Sequence, residues 1–204
     1  MHVDGDRKCG RHTYICTDRN ISTYEKEVMR ENMIEKGIEW LRCAIDEGYT
    51  YVKWDGSEKA KECPICCDHS KEGGFYGGNC IWLASAYLYH GMGMTDIKCA
   101  GDGLLGRNST TTRLLYMPQS RAQSFIDSKL GAGRFKMVRK RTRGKLTTAD
   151  LERGDIIYYY KLGLCRHVAI YIGEGRIIDC SGAYGVAENS LDSAFTCRLA
   201  VRMV

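Results

Sequence analysis

Apolar residues recur at helical spacing through residues 22–48, where Ile34, Ile38, Leu41 and Ile45 fall on one stripe. Ser22 followed three residues later by Glu25 makes a capping-box pattern at the start, and Gly48 supplies a stop. The pattern predicts one amphipathic helix with a single face for the core. A second helix is predicted to start after Asn79, a good N-cap residue, and to run through Cys80-Ile-Trp-Leu-Ala-Ser-Ala-Tyr-Leu-Tyr-His90 to Gly91. It is apolar almost all round, so it belongs in the centre of the molecule.

Residues 92–153 read as a long irregular connection, with helix near 119–130 and a strand near 135–139. Beyond it the period changes. Residues 155–160, 167–172, 176–180 and 199–204 are rich in β-branched and aromatic residues and are separated by glycine-containing breaks. Helices first and strands second predict an α+β fold in which N-terminal helices pack on a central antiparallel sheet. The expected organisation is an N-terminal extension over residues 1–21 and one domain over 22–204, with insertions near 55–78 and 92–145.

A chain of 204 residues with 44% apolar and 27% charged residues can build one sizeable core. No secretion signal and no bilayer-spanning stretch is visible, so no membrane partner is expected. The expectation is synthesis in the cytoplasm. Eleven cysteines, an odd number, without a visible signal point to mostly reduced thiols rather than a disulfide framework. The net charge of +5 is concentrated in residues 134–145 (RFKMVRKRTRGK), which hold seven cations and no acid. A solvated loop or edge strand is the plainer reading of that run, and a polyanion footprint the sharper one.

Three residues carry candidate chemistry. Cys80 follows the cap residue Asn79, and a cysteine in the first helical turn has its thiolate favoured by unpaired N–H groups that could also hold an oxyanion. The alternative is one more small core residue. Residues 167–179 (HVAIYIGEGRIID) read as a hairpin turning at Gly173-Glu174-Gly175. That register sets Ile172 opposite Arg176 and Ala169 opposite Asp179, which leaves His167 diagonal to Asp179 on the same face. Asp179 can then orient the imidazole, and the set becomes nucleophile, base and orienter if Cys80 is near.

Asn79-Cys80 opening an apolar helix, Leu151-Glu-Arg-Gly-Asp155 before a strand, and HVAIYIGEGRIID together resemble the NlpC family of papain-like cell-wall cysteine peptidases. The resemblance implies a catalytic Cys80, His167 and Asp179, no required cofactor, and cleavage of peptide or isopeptide bonds in peptidoglycan stem peptides. It also implies peptidoglycan or a muropeptide as partner, met after release from the cytoplasm in the manner of a phage-type lytic enzyme. Gly48-Tyr-Thr-Tyr51 resembles the family stretch that places a tyrosine on the oxyanion side. Tyr51 is therefore the first choice there, Tyr76 competes with it, and Asn79 adjoins the same position. The chain departs from the family at the nucleophile, with Asn79-Cys80-Ile81-Trp82 in place of Asp-Cys-Ser-Gly.

Two other readings compete. An amidase, deamidase or acyltransferase would use the same three residues on a different acyl group. A zinc-supported nucleic-acid binder would instead use Cys63-Pro-Ile-Cys66-Cys67-Asp-His69 and the basic run. Cys63 and Cys66 offer the Cys-x-x-Cys spacing of a structural zinc site, but only one such knuckle is present; the second pair would be Cys67 with His69 or come from Cys9, His12 and Cys16, and reduced loop cysteines are the plainer reading. Nucleic acid is the least expected partner, because no aromatic residues for base stacking are spaced through the run.

Overall fold

The computed structural model describes residues 21–51, 63, 65–66, 77–99, 113–140, 144–192 and 196–204. The N-terminal extension and most of residues 52–76 and 100–112 lie outside these, and with them Tyr76, Cys67 and His69.

Helix α1 (Thr23–Asp46) starts as its sequence dictates: the Ser22 side chain accepts from the Glu25 N–H while the Glu25 carboxylate accepts from the Ser22 N–H. Its buried stripe is Ile34, Gly37, Ile38, Leu41 and Ala44. Two short strands, β1 (Thr50–Tyr51) and β2 (Gly77–Gly78), pair in parallel and lead directly to Asn79. Helix α2 (Cys80–Ala86) follows and is buried on nearly every side. Its last turn widens into a π-helix, Tyr87–Gly91, a departure from the plain helix its sequence predicts. Helix α3 (Gln119–Leu130) and strand β3 (Phe135–Arg139) fall where the pattern puts them.

The sheet comprises β3, β4 (Ile156–Lys161), β5 (Leu164–Gly173), β6 (Arg176–Ser181), β7 (Gly185–Ser190) and β8 (Thr196–Met203). Their order is β3-β8-β4-β5-β6-β7 with every neighbouring pair antiparallel. Thus the α+β expectation holds. Strand β7 was not anticipated, because GVAENS lacks the apolar alternation by which strands are recognised.

The sheet has two covered faces. Val168, Ile170, Ile172, Ile178 and Cys180 join the helices in the main core, whereas Ala169, Tyr171, Ile177 and Tyr159 pack under Leu146, Leu151 and Leu191. Burial on both faces explains the unbroken apolar and aromatic run of β4.

The β5–β6 hairpin pairs Ala169 with Asp179, as expected, but ends differently. Gly173 opposes Arg176 and a bulge at Ile172 absorbs the extra residue, so Ile172 does not face Arg176. A second irregularity, at Arg166, lies between the pairs Tyr159–His167 and Tyr160–Cys165.

The Gly154-Asp155 turn anchors the sheet. Asp155 is 1% exposed and receives both the Nε (2.8 Å) and Nη2 (2.7 Å) hydrogens of Arg202 on β8. Arg202 also donates to the Asp150 carbonyl and pairs with Glu152. A Cβ at Gly154, which has φ of +90°, would stand 2.8 Å from Ile34 of α1. Removing one partner of a buried pair strands the other charge, so Asp155→Ala is expected to cost about 3–5 kcal/mol. A thermal melt should then show a midpoint lower by roughly 10 °C; a fall of a degree or two would mean that Arg202 finds another partner.

Candidate active site

Asn79 prepares the position of Cys80. Its backbone is extended, and its Oδ1 accepts from the N–H of Ile81 at 2.9 Å and of Trp82 at 3.0 Å. Two N–H groups that the sequence suggested for an oxyanion are therefore engaged by the cap. Asn79 is buried and acts on the helix start, which makes it a positioning residue for Cys80.

The α2 helix packs on β5 and β6, the strands that carry His167 and Asp179. Cys80 is 1% exposed, and its side chain hydrogen-bonds with the His167 imidazole. The other side of that ring meets Asp179, whose Oδ2 lies 2.5 Å from Nε2. With Nε2 turned to the carboxylate, Nδ1 is the ring nitrogen left for sulfur. The irregularity at Arg166 lies immediately before His167, where a bulge can re-aim a side chain.

Asp179 is buried and fixed from three directions. Besides His167 it accepts from Asn189 Nδ2 at 2.8 Å and from the Tyr184 hydroxyl at 3.2 Å to Oδ2. Sequence reasoning missed both supports. Asn189 sits on the unanticipated β7, opposite Ile177 and thus diagonal to Asp179, and Tyr184 belongs to the turn before that strand.

Tyr51 pairs with Gly78 across the short parallel strip, two residues before Cys80, and lies 3.5 Å from where a Gly182 Cβ would stand. It is thereby placed between the start of α2 and the β6–β7 turn. The same strip is held to β7 by Val186 N–H donating to the Tyr49 carbonyl at 3.0 Å. That close approach requires glycine at 185: φ is +75°, and a Cβ would meet the Tyr49 oxygen at 2.4 Å.

Electrostatics separates the thiols of this region. Burial holds Cys180 well above the ordinary thiol range and pushes Cys197 up to about 12, so both are neutral. His167 shows the reverse balance. Burial is the largest single influence and lowers its pKa, but the hydrogen bonds to Asp179 and Cys80, with the charges of the same two groups, outweigh it and push the group up to about 9. An imidazolium beside sulfur is the setting that stabilises a thiolate.

A raised pKa ties stability to pH. The contribution is complete below the unfolded value of 6.5 and is lost as pH rises through about 9. The melting temperature should accordingly decline between these limits in the parent, and the decline should be shallower in His167→Gln. Equal slopes would remove the ionised His167 from the balance.

Of the predicted metal ligands, Cys63 and Cys66 are described, and the groups brought to them are His90 and Cys99. In the basic run four of the described cations have local partners. Arg134 pairs with Asp96, Lys140 with Asp150 at 2.7 Å and Lys145 with Asp192 at 2.9 Å, while Arg139 donates to the Leu114 carbonyl. These contacts favour the structural reading of the run. Among the described residues no helix is long and apolar enough to cross a membrane.

The NlpC/P60 family model matches residues 85–203, more than half of the chain, and the protein belongs to that family. The match includes His167 and Asp179 and begins just after Cys80. Solved structures similar to it include the P60 domain of antigen MAP1204 from M. avium subspecies paratuberculosis, with 16% identity, 84% of this chain and 95% of that chain covered, and a TM-score of 0.43. The peptidoglycan hydrolase RipB from Mycobacterium tuberculosis gives 17% identity, 90% and 86% coverage, and a TM-score of 0.36. NlpC2 from Trichomonas vaginalis gives 15% identity, 82% and 46% coverage, and 0.40. No curated protein matches significantly.

Proposed function

We propose that the protein is a cysteine hydrolase that cuts peptide bonds in the stem peptides of bacterial peptidoglycan, with Cys80 as nucleophile, His167 as acid and base, and Asp179 as orienter. The observation that carries the reading is the imidazole of His167 held between the Cys80 thiol and the Asp179 carboxylate. Family membership supports the choice of substrate.

In the first half-reaction the Cys80 thiolate attacks the carbonyl carbon, and a C–S bond forms. As the C–N bond breaks, the proton that His167 took from the thiol passes to the leaving amine. Water then attacks the thioester, His167 accepts its proton, and the C–S bond breaks to return the thiol. Asp179 holds Nε2 throughout, so Nδ1 stays aimed at the reacting atoms. The step needs no metal or cofactor at the site. The favoured bond joins D-γ-glutamate to the following diamino acid, and the enzyme would meet it after release to the wall.

Mass analysis of muropeptides incubated with the purified chain tests this. Fragments ending in γ-glutamate, with a new amino terminus on the diamino acid, are expected. Release of intact stem peptides from the sugar would instead make it an amidase, and transfer of the acyl group to an added amine would make it an acyltransferase. A muropeptide left intact while a simple acyl ester turns over would remove peptidoglycan as substrate.

A further inference from the structure

A second cluster of reactive side chains lies away from Cys80. The Sγ atoms of Cys63, Cys66 and Cys99 and a ring nitrogen of His90 all fall within 4.8 Å of one another. Cys63 Sγ is 3.4 Å and Cys66 Sγ 3.5 Å from His90 Nε2, and Cys66 Sγ is 3.4 Å from Cys99 Sγ. Four ligands at zinc bond lengths, about 2.3 Å to sulfur and about 2.0 Å to nitrogen, stand roughly 3.5–3.8 Å apart at the corners of a tetrahedron. The three short separations, 3.4–3.5 Å, come within a few tenths of an ångström of that figure, and no pair exceeds 4.8 Å. The sulfur pair is far beyond the roughly 2.05 Å of a disulfide bond.

The surroundings orient these donors. Cys63 and Cys66 close a turn through the Cys66 N–H donating to the Cys63 carbonyl at 3.1 Å, which brings both sulfurs of the Cys-x-x-Cys unit to one side. Cys63 is buried and accepts from Trp82 Nε1 at 3.4 Å, the kind of outer hydrogen bond that steadies a ligating thiolate. His90 projects from the π-helical turn at the end of α2, a geometry that often marks a functional position. Its ring is stacked on Trp40 at 5.8 Å and 20°, with Tyr89 edge-on at 4.8 Å, which fixes the direction of Nε2.

We infer that Cys63, Cys66, His90 and Cys99 bind one zinc ion as a closed structural site. Three thiolates and an imidazole are the donor chemistry of zinc rather than of magnesium or calcium. All four corners are protein ligands, so no position is left for a catalytic water. The site also stands apart from the chemistry, because His90 is ten residues beyond Cys80, roughly 15 Å along the helix axis. The ion would staple the Cys63–Cys66 turn and the segment carrying Cys99 to the far end of the helix that presents the nucleophile. This assignment stands whether or not the peptidoglycan reading is correct.

Metal analysis of the purified full chain, grown with zinc and dialysed, decides the matter. About one zinc per chain is expected. His90→Ala and Cys99→Ser should each drop that to under about one tenth, while Cys67→Ser and His69→Ala keep it. Cobalt added to the stripped parent supplies a readout that does not depend on variants: visible bands of tetrahedral cobalt and thiolate charge transfer in the near ultraviolet are expected. A metal-free parent, a Cys66–Cys99 disulfide found by peptide mass mapping, or cobalt spectra without thiolate bands would each overturn the inference. So would zinc that survives in His90→Ala and Cys99→Ser but is lost in Cys67→Ser and His69→Ala, since the ligands would then be the four that adjoin in sequence.

Discussion

Cys80→Ala and His167→Ala are each expected to reduce release of amino groups from peptidoglycan by at least about a thousandfold, and the double variant by scarcely more than either alone. Nucleophile and base act as one unit: without sulfur there is no acyl intermediate, and without imidazole the sulfur carries its proton and the leaving amine receives none. The fold should persist in both. Cys80 contributes one small side chain at a helix start that Asn79 caps, and the helix is held by Trp82, Leu83, Ala84 and Leu88. His167 lies within β5, where its backbone pairs with Tyr159 of β4, and that ladder does not depend on its side chain. Circular dichroism and a melt would verify this. Strictly multiplicative losses would show two independent contributions in place of one unit.

Asp179→Asn carries the second large effect. The carboxylate accepts from His167, Asn189 and Tyr184 together, and an amide cannot accept from all three. Its NH2 group would turn toward one of these donors, or donate to Nε2 and leave the ring proton on Nδ1, which could then no longer accept the thiol proton. Turnover should fall by roughly 10²–10⁴. The basic limb of the pH–rate profile should also move below about 9, because the Asp179 hydrogen bond is the foremost influence raising His167. A merely structural role would lower the amount of folded protein and leave that limb where it was. Asn189→Ala should give a smaller loss in the same direction.

What could be read from the chain was local. The Ser22–Glu25 capping box, the Asn79 cap and the helical spacing of Ile34, Ile38 and Leu41 each act within a few residues, and both helices start where these signals put them. Counting back through the hairpin sets Ala169 opposite Asp179, and the β-strand period of two then puts His167 on the Asp179 face, although the turn itself closes on a bulge at Ile172. Features that depend on tertiary contact were not legible. Strand β7 sends Val186 into the core, Asn189 to Asp179 and Glu188 to Arg176, too mixed a pattern to announce a strand, and β6 supplies its hydrogen-bonding edge. The irregularity at Arg166 leaves no sequence signature. His90 and Cys99 are separated by 27 and 36 residues from Cys63, so nothing in the CPICCDH segment points to them.

The central claim is that Cys80 forms a covalent bond to the substrate's acyl group. A stem-peptide mimic whose γ-glutamyl carbonyl bears a good leaving group makes acylation faster than hydrolysis, so the thioester accumulates. Peptide mass mapping of the acid-quenched mixture should place the acyl fragment on Cys80 in the parent and on no residue in Cys80→Ala. An acyl group on another cysteine, or leaving-group release from Cys80→Ala at the parent's rate, would contradict the account.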